Sequence, residues 1–291
     1  MATADVRTQV RFENILFATD FSRPAMAALP YVLSLVSTYQ SKVYAAHVIS
    51  IPPFTTYSPT EAWHEMAAQA LRESERAMIT LEPQWKGVHH ERLILKGGIW
   101  KELQKTVDDK RIDLIVCGTH GRTGVSKVLM GSVAEEIFRH ASCPVLTVGP
   151  KTAGEPESVV DMHSILFATD FTPESLAAAP YAIALAQEHQ ARLYLVHVAQ
   201  NRSGVAAEME VLDRLRHLVQ ADAQLQCEPK AFVEFGAPAE RVVELADELG
   251  LDLIVLGVKR TPAIPGATHL GVATAYEIVS RANCPVLTIR G

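Results

Sequence analysis

The chain has 291 residues, of which 48% are hydrophobic and 21% are charged, and its net charge is −6 at pH 7. This composition excludes a disordered or fibrous protein, the length favours two domains, and the acidic excess excludes a broad basic surface for nucleic acid. Because the first 14 residues hold no apolar leader and no apolar run approaches about 20 residues, we expect a cytoplasmic protein without membrane contact.

Short β-branched segments alternate with longer segments of helical periodicity in residues 1–150. The predicted strands are Asn14–Ala18, Lys42–Ile49, Glu91–Leu95, Leu114–Cys117 and Val145–Val148, and the predicted helices are Pro24–Tyr39, Pro59–Glu82, Ile99–Lys110 and Val133–His140. This alternation predicts an α/β fold with a five-stranded, mostly parallel sheet, helices on both faces and right-handed crossovers. Ligands of such sheets bind beyond the carboxyl ends of the strands.

The chain contains an internal repeat. The segment ILFATDF at Ile15–Phe21 recurs without change at Ile165–Phe171, and shorter echoes follow in the same order, ending with Cys143–Thr147 and Cys284–Thr288. The chain is therefore a tandem of two homologous halves. We place the domains at residues 1–150 and 158–291, joined by a linker around residues 149–158 that carries Gly, Pro and Ser.

The four cysteines, Cys117, Cys143, Cys227 and Cys284, form no CxxC pair. Their spacing neither fits a zinc finger nor suggests a disulfide scaffold. Three of them stand in apolar, strand-like surroundings, so we expect those three thiols to be buried without a chemical role.

A glycine-rich segment follows the fourth predicted strand. It reads Gly118-x-x-Gly121, nine residues, and then Gly131-Ser132 at the start of a predicted helix. Glycine permits close approach of the backbone to an anion, and a helix start presents free N–H groups and the positive end of the helix dipole. The spacing is typical of a phosphate-binding loop.

Two other interpretations of this loop stay open. Ser132-x-x-Glu135 also fits a capping box, and glycines that follow a strand also form plain turns. Arg122 and Lys127 can add positive charge, but the segment is neither a Walker A motif nor a GxGxxG dinucleotide fingerprint.

Taken together, these motifs resemble the universal stress protein family, whose signature is G-x-x-G, nine residues, then G-S/T. Gly118, Gly121, Gly131 and Ser132 match it. The resemblance extends to Thr19–Ser22, His47-Val48 and Ser142–Val145, and it covers nearly the whole chain as two copies. It implies two tandem Rossmann-like domains of the adenine nucleotide alpha hydrolase-like type.

The resemblance also implies a bound ATP, with its phosphates at the glycine loop and its adenine near the second strand. Carried over by position, Asp20 lies near the ribose and phosphates, and Val48 offers backbone hydrogen bonds to adenine. Ala18 stands where a proline often precedes the Thr-Asp pair in relatives. The residues that wrap the ribose and the phosphate chain are then Gly118, Gly121, Gly131, Ser132 and Val133.

Asp20 has three candidate roles. It can bind a ribose hydroxyl, position a phosphate-bound Mg²⁺ or Mn²⁺, or cap the helix that begins near Pro24. Since a carboxylate repels a bare phosphate, we favour the ribose or the metal. His120 lies between motif glycines and is interpreted as shaping the loop, while His47 and His197 end strands and are interpreted as structural.

The second half has lost the glycine loop. Arg260 stands where the second glycine is expected, and Gly131-Ser132 aligns with Val272-Ala273. Thr274-x-x-Glu277 still predicts a capping box for the equivalent helix. Residues 1–150 carry 16 basic and 15 acidic residues, whereas the remainder carries 11 and 18, which also favours an anionic ligand in the first half.

We therefore predict an ATP-binding switch in stress adaptation, with the nucleotide in the first half. The second half is expected to serve as a dimerisation partner, through pairing of the last strands of the halves in an intramolecular pseudo-dimer, and two chains can associate further. Without a positioned base or an arginine finger, a fast enzyme is not expected. The alternatives are a scaffold or sensor that binds protein partners or another small ligand, and a slow ATPase.

Overall fold

A computed structural model describes residues 10–50, 61–119, 130–149, 160–202, 204–219, 223, 225–259 and 270–291. The chain divides into two compact units, one formed by Phe12–Val160 and one that contains Asp161–Gly291. Several residues named above lie outside the described residues, namely Pro59, His120, Gly121, Arg122, Lys127, Arg260 and linker residues 150–158.

The first unit is a five-stranded parallel sheet with the strand order β3-β2-β1-β4-β5. The strands are β1 (Asn14–Ala18), β2 (Lys42–Ile49), β3 (His90–Lys96), β4 (Leu114–Gly118) and β5 (Val145–Val148). The helices are α1 (Arg23–Met26), α2 (Leu29–Tyr39), α3 (Glu61–Thr80), α4 (Ile99–Lys110) and α5 (Ser132–His140), with a short 3₁₀ helix at Glu82–Trp85. Right-handed crossovers in this order put α1 to α3 on one face and α4 and α5 on the other.

The strand order reverses between β1 and β4, so a crevice opens beyond their carboxyl ends. The strands that flank it are buried on both faces, and Ile15, Leu16 and Phe17 have no exposed surface. Cys117 and Cys143 belong to the same core as Leu16. Burial of this kind fixes the strands and leaves only their carboxyl ends for a ligand.

The predicted helix Pro24–Tyr39 is wrong as a single element. Ser22 caps α1, and the chain turns at Ala27 and Ala28 before α2 begins. Pro30 lies in the first turn of α2 and has no N–H to donate to a preceding turn, so one continuous helix is disfavoured. The long helix also ends at Thr80, before the predicted Glu82, because Pro83 follows and restricts the residue in front of it.

The second unit repeats this topology with the strand order β8-β7-β6-β9-β10, again parallel throughout. Its strands are β6 (Ser164–Ala168), β7 (Arg192–Ala199), β8 (Lys230–Phe235), β9 (Leu253–Val258) and β10 (Val286–Arg290). Its helices are α6 (Pro173–Leu176), α7 (Ala179–Glu188), α8 (Val205–His217), α9 (Pro238–Leu249) and α10 (Leu270–Arg281). The predicted fold class is confirmed. Within the described part of the chain, every helix is too short or too polar to cross a membrane.

Two equivalent glycines let a strand end pass close to a short helix. A Cβ atom on Gly118 would lie 2.8 Å from the carbonyl oxygen of Pro24, and a Cβ atom on Gly257 would lie 2.1 Å from that of Glu174. Real Cβ atoms essentially never come so close to backbone. The first signature glycine is therefore required by packing in both domains, including the domain that has lost the rest of the motif.

This packing predicts that Gly118→Ala lowers the free energy of unfolding by about 1–3 kcal/mol, and that Gly257→Ala lowers it more. Gly98→Ala is the matched control, since its Cβ would meet only Lys101 Cβ at 3.8 Å, an ordinary contact. Urea denaturation followed by circular dichroism measures the three variants. Equal midpoints for Gly257→Ala and Gly98→Ala would contradict the packing role.

Candidate functional site

A cavity of about 250 Å³ lies at the carboxyl ends of β1, β2 and β4 in the first domain. A second cavity of about 350 Å³ shares Asp20, His47 and Val48 with it and continues along α3 at Ala70, Glu73 and Ser74. Seven of the eight residues predicted from sequence line the first cavity, namely Ala18, Asp20, Val48, Gly118, Gly131, Ser132 and Val133. The eighth, Gly121, lies outside the described residues.

The β1–β2 ladder ends at the cavity. Its last backbone bond runs from the N–H of Thr19 to the carbonyl oxygen of Ala46, at 3.0 Å. The next bond in a parallel ladder would run from the N–H of Val48 to the carbonyl oxygen of Thr19. His47 Nδ1 lies 2.8 Å from that oxygen instead, so the imidazole donates to the carbonyl and takes the place of the strand.

Val48 consequently presents a free backbone edge. In β2, the odd-numbered residues bond toward β3, as shown by the 2.9 Å bond from Val43 N–H to the carbonyl oxygen of His89 and by the 3.1 Å bond from Gly97 N–H to that of Ile49. Residues at even positions face β1, which has already ended. Within the described residues, no backbone hydrogen bond joins the turn after β1 to the N–H or the C=O of Val48. A donor and an acceptor therefore face the cavity side by side.

The start of α5 supplies further donors. Its first internal bond runs from the N–H of Glu135 to the carbonyl oxygen of Gly131, at 2.9 Å. The N–H groups of Ser132, Val133 and Ala134 thus have no acceptor in the helix, and no side chain caps them. All three residues line the cavity, so three donors and the positive end of the helix dipole point at it.

The capping-box interpretation of Ser132 is wrong. Gly131 is the N-cap and Ser132 is the first helical residue, so its hydroxyl is not placed to cap. The backbone angles of Gly131, φ −63° and ψ 150°, are open to any residue. The backbone conformation at the helix start therefore does not require a glycine at position 131. We attribute the glycine to the absence of a side chain, which keeps the cavity open beside the helix start.

The turn after β1 orients Asp20. The Oδ1 atom of Asp20 accepts the N–H of Ser22 at 3.0 Å, and the hydroxyl of Ser22 accepts the N–H of Ala25 at 3.3 Å. Ser22, rather than Asp20, is therefore the N-cap of α1. Phe21 adopts φ 62° and lays its ring 4.7 Å from the imidazole of His47, which closes the turn over the strand ends. A positive φ in a bulky residue is uncommon and is held here by its surroundings.

The second domain keeps the strand edge. The N–H of Thr169 bonds to the carbonyl oxygen of Val196 at 3.0 Å, and His197 Nδ1 lies 2.9 Å from the carbonyl oxygen of Thr169. Val198 therefore occupies the same position as Val48. The aspartate differs, because Asp170 accepts both the N–H and the hydroxyl of Thr172, at 3.0 and 2.6 Å. Burial raises the pKa of Asp170, but hydrogen bonds from Thr172 and Ser175 outweigh burial and hold the pKa below its usual value.

The helix start is where the two domains diverge. Aligned from the Cys-Pro-Val-Leu segments, Ser132 corresponds to Ala273, yet α10 already begins at Leu270. Thr274 is thus the fifth residue of the helix, and the predicted capping box at Thr274-x-x-Glu277 is wrong. The N–H groups at the positions of Val133 and Ala134 are used inside this longer helix. The second domain has therefore lost two of the three donors, along with the second and third signature glycines.

Some residues that line the two cavities belong to no sequence motif and were not predicted. Ala134 supplies the third donor, and its contribution follows only from where α5 begins. Ile99 and Leu103 form an apolar wall one helical turn apart, which the spacing on α4 could have indicated. Glu73 and Ser74 belong to a long amphipathic helix, where nothing distinguishes the residues that face a cavity from the rest.

The geometry defines two similar α/β domains, the first of which has a cleft lined by backbone N–H groups at a strand end and at a helix start. The family model of the universal stress protein family matches the chain twice, at residues 11–149 and 162–290. The chain belongs to this family and is a tandem of two universal stress protein domains.

Individual relatives agree with this assignment. Universal stress protein MJ0531 of Methanocaldococcus jannaschii is 30% identical over 141 residues, which is 47% of this chain and 82% of the relative. Universal stress protein MJ0577 of the same organism is 26% identical, over 50% of this chain and 99% of the relative. A crystal structure of a universal stress protein from Archaeoglobus fulgidus superposes on 95% of this chain and 98% of its own, with a TM-score of 0.72 and 18% identity.

The cysteines provide a test of the core beside the cavity. Burial raises the pKa of the Cys117, Cys143 and Cys284 thiols to about 12, whereas Cys227 is exposed. Since the thiolate is the reactive form, we expect only Cys227 to react with a thiol reagent in the native protein at pH 8. Labelling should give one thiol per native chain, four in denaturant, and none in native Cys227→Ser. Rapid labelling of Cys117 in the native state would contradict this core.

Proposed function

We propose that the first domain binds ATP and that the protein acts as a nucleotide-dependent switch in stress adaptation. One observation supports this most strongly: the free backbone edge of Val48 and the three uncapped N–H groups of α5 line the same cavity. The first set suits a heterocyclic base, and the second suits a phosphate chain. The cytoplasmic location and an unidentified protein partner stay predictions from the sequence.

Adenine matches the Val48 edge. Its N1 atom accepts and its exocyclic amine donates, so one N–H and one C=O of the same residue complement it. Guanine and hypoxanthine carry the reverse pattern at these positions, which would set donor against donor and acceptor against acceptor. A site of this kind discriminates because an unmatched polar group loses its hydrogen bond on binding.

The phosphates are proposed to lie at α5. The N–H groups of Ser132, Val133 and Ala134 donate to phosphate oxygens, as helix starts do in many anion sites. Gly131 lines the cavity without a side chain and is proposed to leave room for the phosphate chain. Gly118 lets the short helix α1 approach the end of β4. Ala18 lines the cavity and is proposed to lie beneath the ribose. Gly121 completes the family motif.

Asp20 is proposed to bind a ribose hydroxyl or a phosphate-bound Mg²⁺ or Mn²⁺. No cluster of three or more metal-binding side chains occurs among the described residues, so Asp20 is proposed to hold the ion together with the phosphates. Mg²⁺ fits this arrangement, because it is commonly held by one or two carboxylates together with the phosphates of a nucleotide. When bound, the ion neutralises phosphate charge, while Asp20 fixes its position.

A switch fits the site better than a fast enzyme. Among the described residues that line the cavity, none is a lysine or an arginine, and the Nδ1 atom of His47 is occupied by Thr19. Slow hydrolysis is the alternative. The pairing of the two halves as a pseudo-dimer and the homodimer of two chains stay predictions from the family resemblance.

Gly131→Val tests the phosphate site. The variant places in the first domain the residue that the second domain has at the aligned position, and it should weaken ATP binding at least about 100-fold by filling the space beside the helix start. Calorimetric titration of Mg-ATP into nucleotide-free protein measures the loss, and wild type should bind one ATP per chain. Ser132→Ala removes a hydroxyl but keeps the N–H, so it should cost about fivefold or less. Unchanged affinity in folded Gly131→Val would rule out the assignment.

Asp20→Asn and Asp170→Asn form a matched pair across the two domains. Asp20→Asn should weaken Mg-ATP binding about tenfold, because it removes the charge that holds the metal or the stronger acceptor for the ribose. Asp170→Asn should leave ATP affinity unchanged, because its carboxylate is committed to Thr172. Titrations with and without Mg²⁺ separate the two roles of Asp20. Equal losses in the two variants would contradict a single site in the first domain.

A further inference from the structure

Two arginines of the second domain place their guanidinium groups over phenylalanine rings. The guanidinium carbon of Arg214 is 4.0 Å from the ring centroid of Phe171, and that of Arg202 is 4.9 Å from the ring centroid of Phe235. Among the described residues, neither arginine forms an ion pair with a carboxylate. A cation–π contact holds a guanidinium in place and uses none of its N–H groups, which can still donate to a planar or tetrahedral anion.

Both stacks lie at the carboxyl edge of the sheet. Phe171 follows β6, Arg202 follows β7 and Phe235 ends β8, and these three strands are neighbours in the order β8-β7-β6. The ring of Phe171 packs against His197 of β7, at 5.0 Å between ring centroids, so the two stacks lie at the carboxyl ends of the neighbouring strands β7 and β8. One ligand beyond these two strand ends can therefore contact both guanidiniums.

The neighbouring carboxylates do not neutralise these arginines. Asp170 accepts the hydroxyl of Thr172 at 2.6 Å, and Glu234 pairs with Arg241 at 2.9 Å. Another cation at this edge, Lys259, lies 3.9 Å from the carboxylate of Glu174. The positive charge of Arg202 and Arg214 therefore stays available to a ligand.

The first domain carries the opposite charge at the corresponding place. Its helix after the second strand, α3, brings Glu73 to the cavity that Asp20 and Val48 share. In the second domain, the helix after the second strand, α8, brings Arg214 to the residue that follows Asp170. The two domains thus present different chemistry on the same face of a common fold, which suits two different ligands.

We propose that the second domain binds a small phosphorylated molecule other than the nucleotide of the first domain, with its anionic groups held by Arg202 and Arg214. Each guanidinium can donate two parallel hydrogen bonds to one phosphate group. Two groups on one ligand engage both arginines, so a diphosphate binds more tightly than a single phosphate.

Calorimetric titration of inorganic pyrophosphate into the full chain tests this site, in the Gly131→Val background that removes the first-domain phosphate site. We expect one pyrophosphate per chain, weaker binding of inorganic phosphate, and a loss of about tenfold or more in each of Arg202→Gln and Arg214→Gln. Arg216→Gln is the control, because it removes the same charge from α8, the helix that carries Arg214. Arg216 pairs with Asp213 at 3.1 Å. It should change the affinity less than twofold.

Absence of pyrophosphate binding, or equal losses in the three arginine variants, would overturn the proposal. The arginine variants should bind ATP as tightly as the wild type when Gly131 is intact, which keeps this test separate from the first-domain proposal. Thermal unfolding followed by circular dichroism checks that each variant is folded.

Discussion

The hydrogen bond between His47 and the carbonyl oxygen of Thr19 shapes the whole site. It ends the β1–β2 ladder one step early, because the imidazole takes the acceptor that Val48 would otherwise use. The unpaired edge of Val48 then lies at the point where the strand order reverses, which is where parallel sheets open a crevice. The same bond occurs between His197 and Thr169 in the second domain, so it belongs to the fold rather than to one ligand.

A comparison of the two domains distinguishes features that the fold requires from features that are proposed to serve binding. Both keep the strand edge, the positive φ at Phe21 and Phe171, and the glycine whose side chain would collide with the first short helix. They differ in where the next helix begins. An extra turn at the start of α10 uses N–H groups that α5 leaves free, so the phosphate site proposed for the first domain has no counterpart at this position in the second domain.

Much of this architecture could be predicted from the sequence, because near-continuous β-branched runs and an exact repeat leave little freedom. The bounds of β2 and α4 agree with prediction, and seven predicted site residues line one cavity. The residues at which the helices begin are harder to predict from the sequence. Serine followed by glutamate at the fourth position fits both a cap and an anion site, and only the position of Gly131 outside α5 separates them. The bond from His47 to Thr19 joins residues 28 positions apart, and no local pattern indicates it.

A crystal structure of the full chain grown with Mg-ATP tests the central claim most directly. We expect one nucleotide per chain, with adenine on the N–H and C=O of Val48 and phosphate oxygens on the N–H groups of Ser132 and Val133. The second domain should hold no nucleotide at Val198. A nucleotide bound at Val198 with its phosphates at α10, or one in the first domain whose phosphates avoid α5, would contradict it.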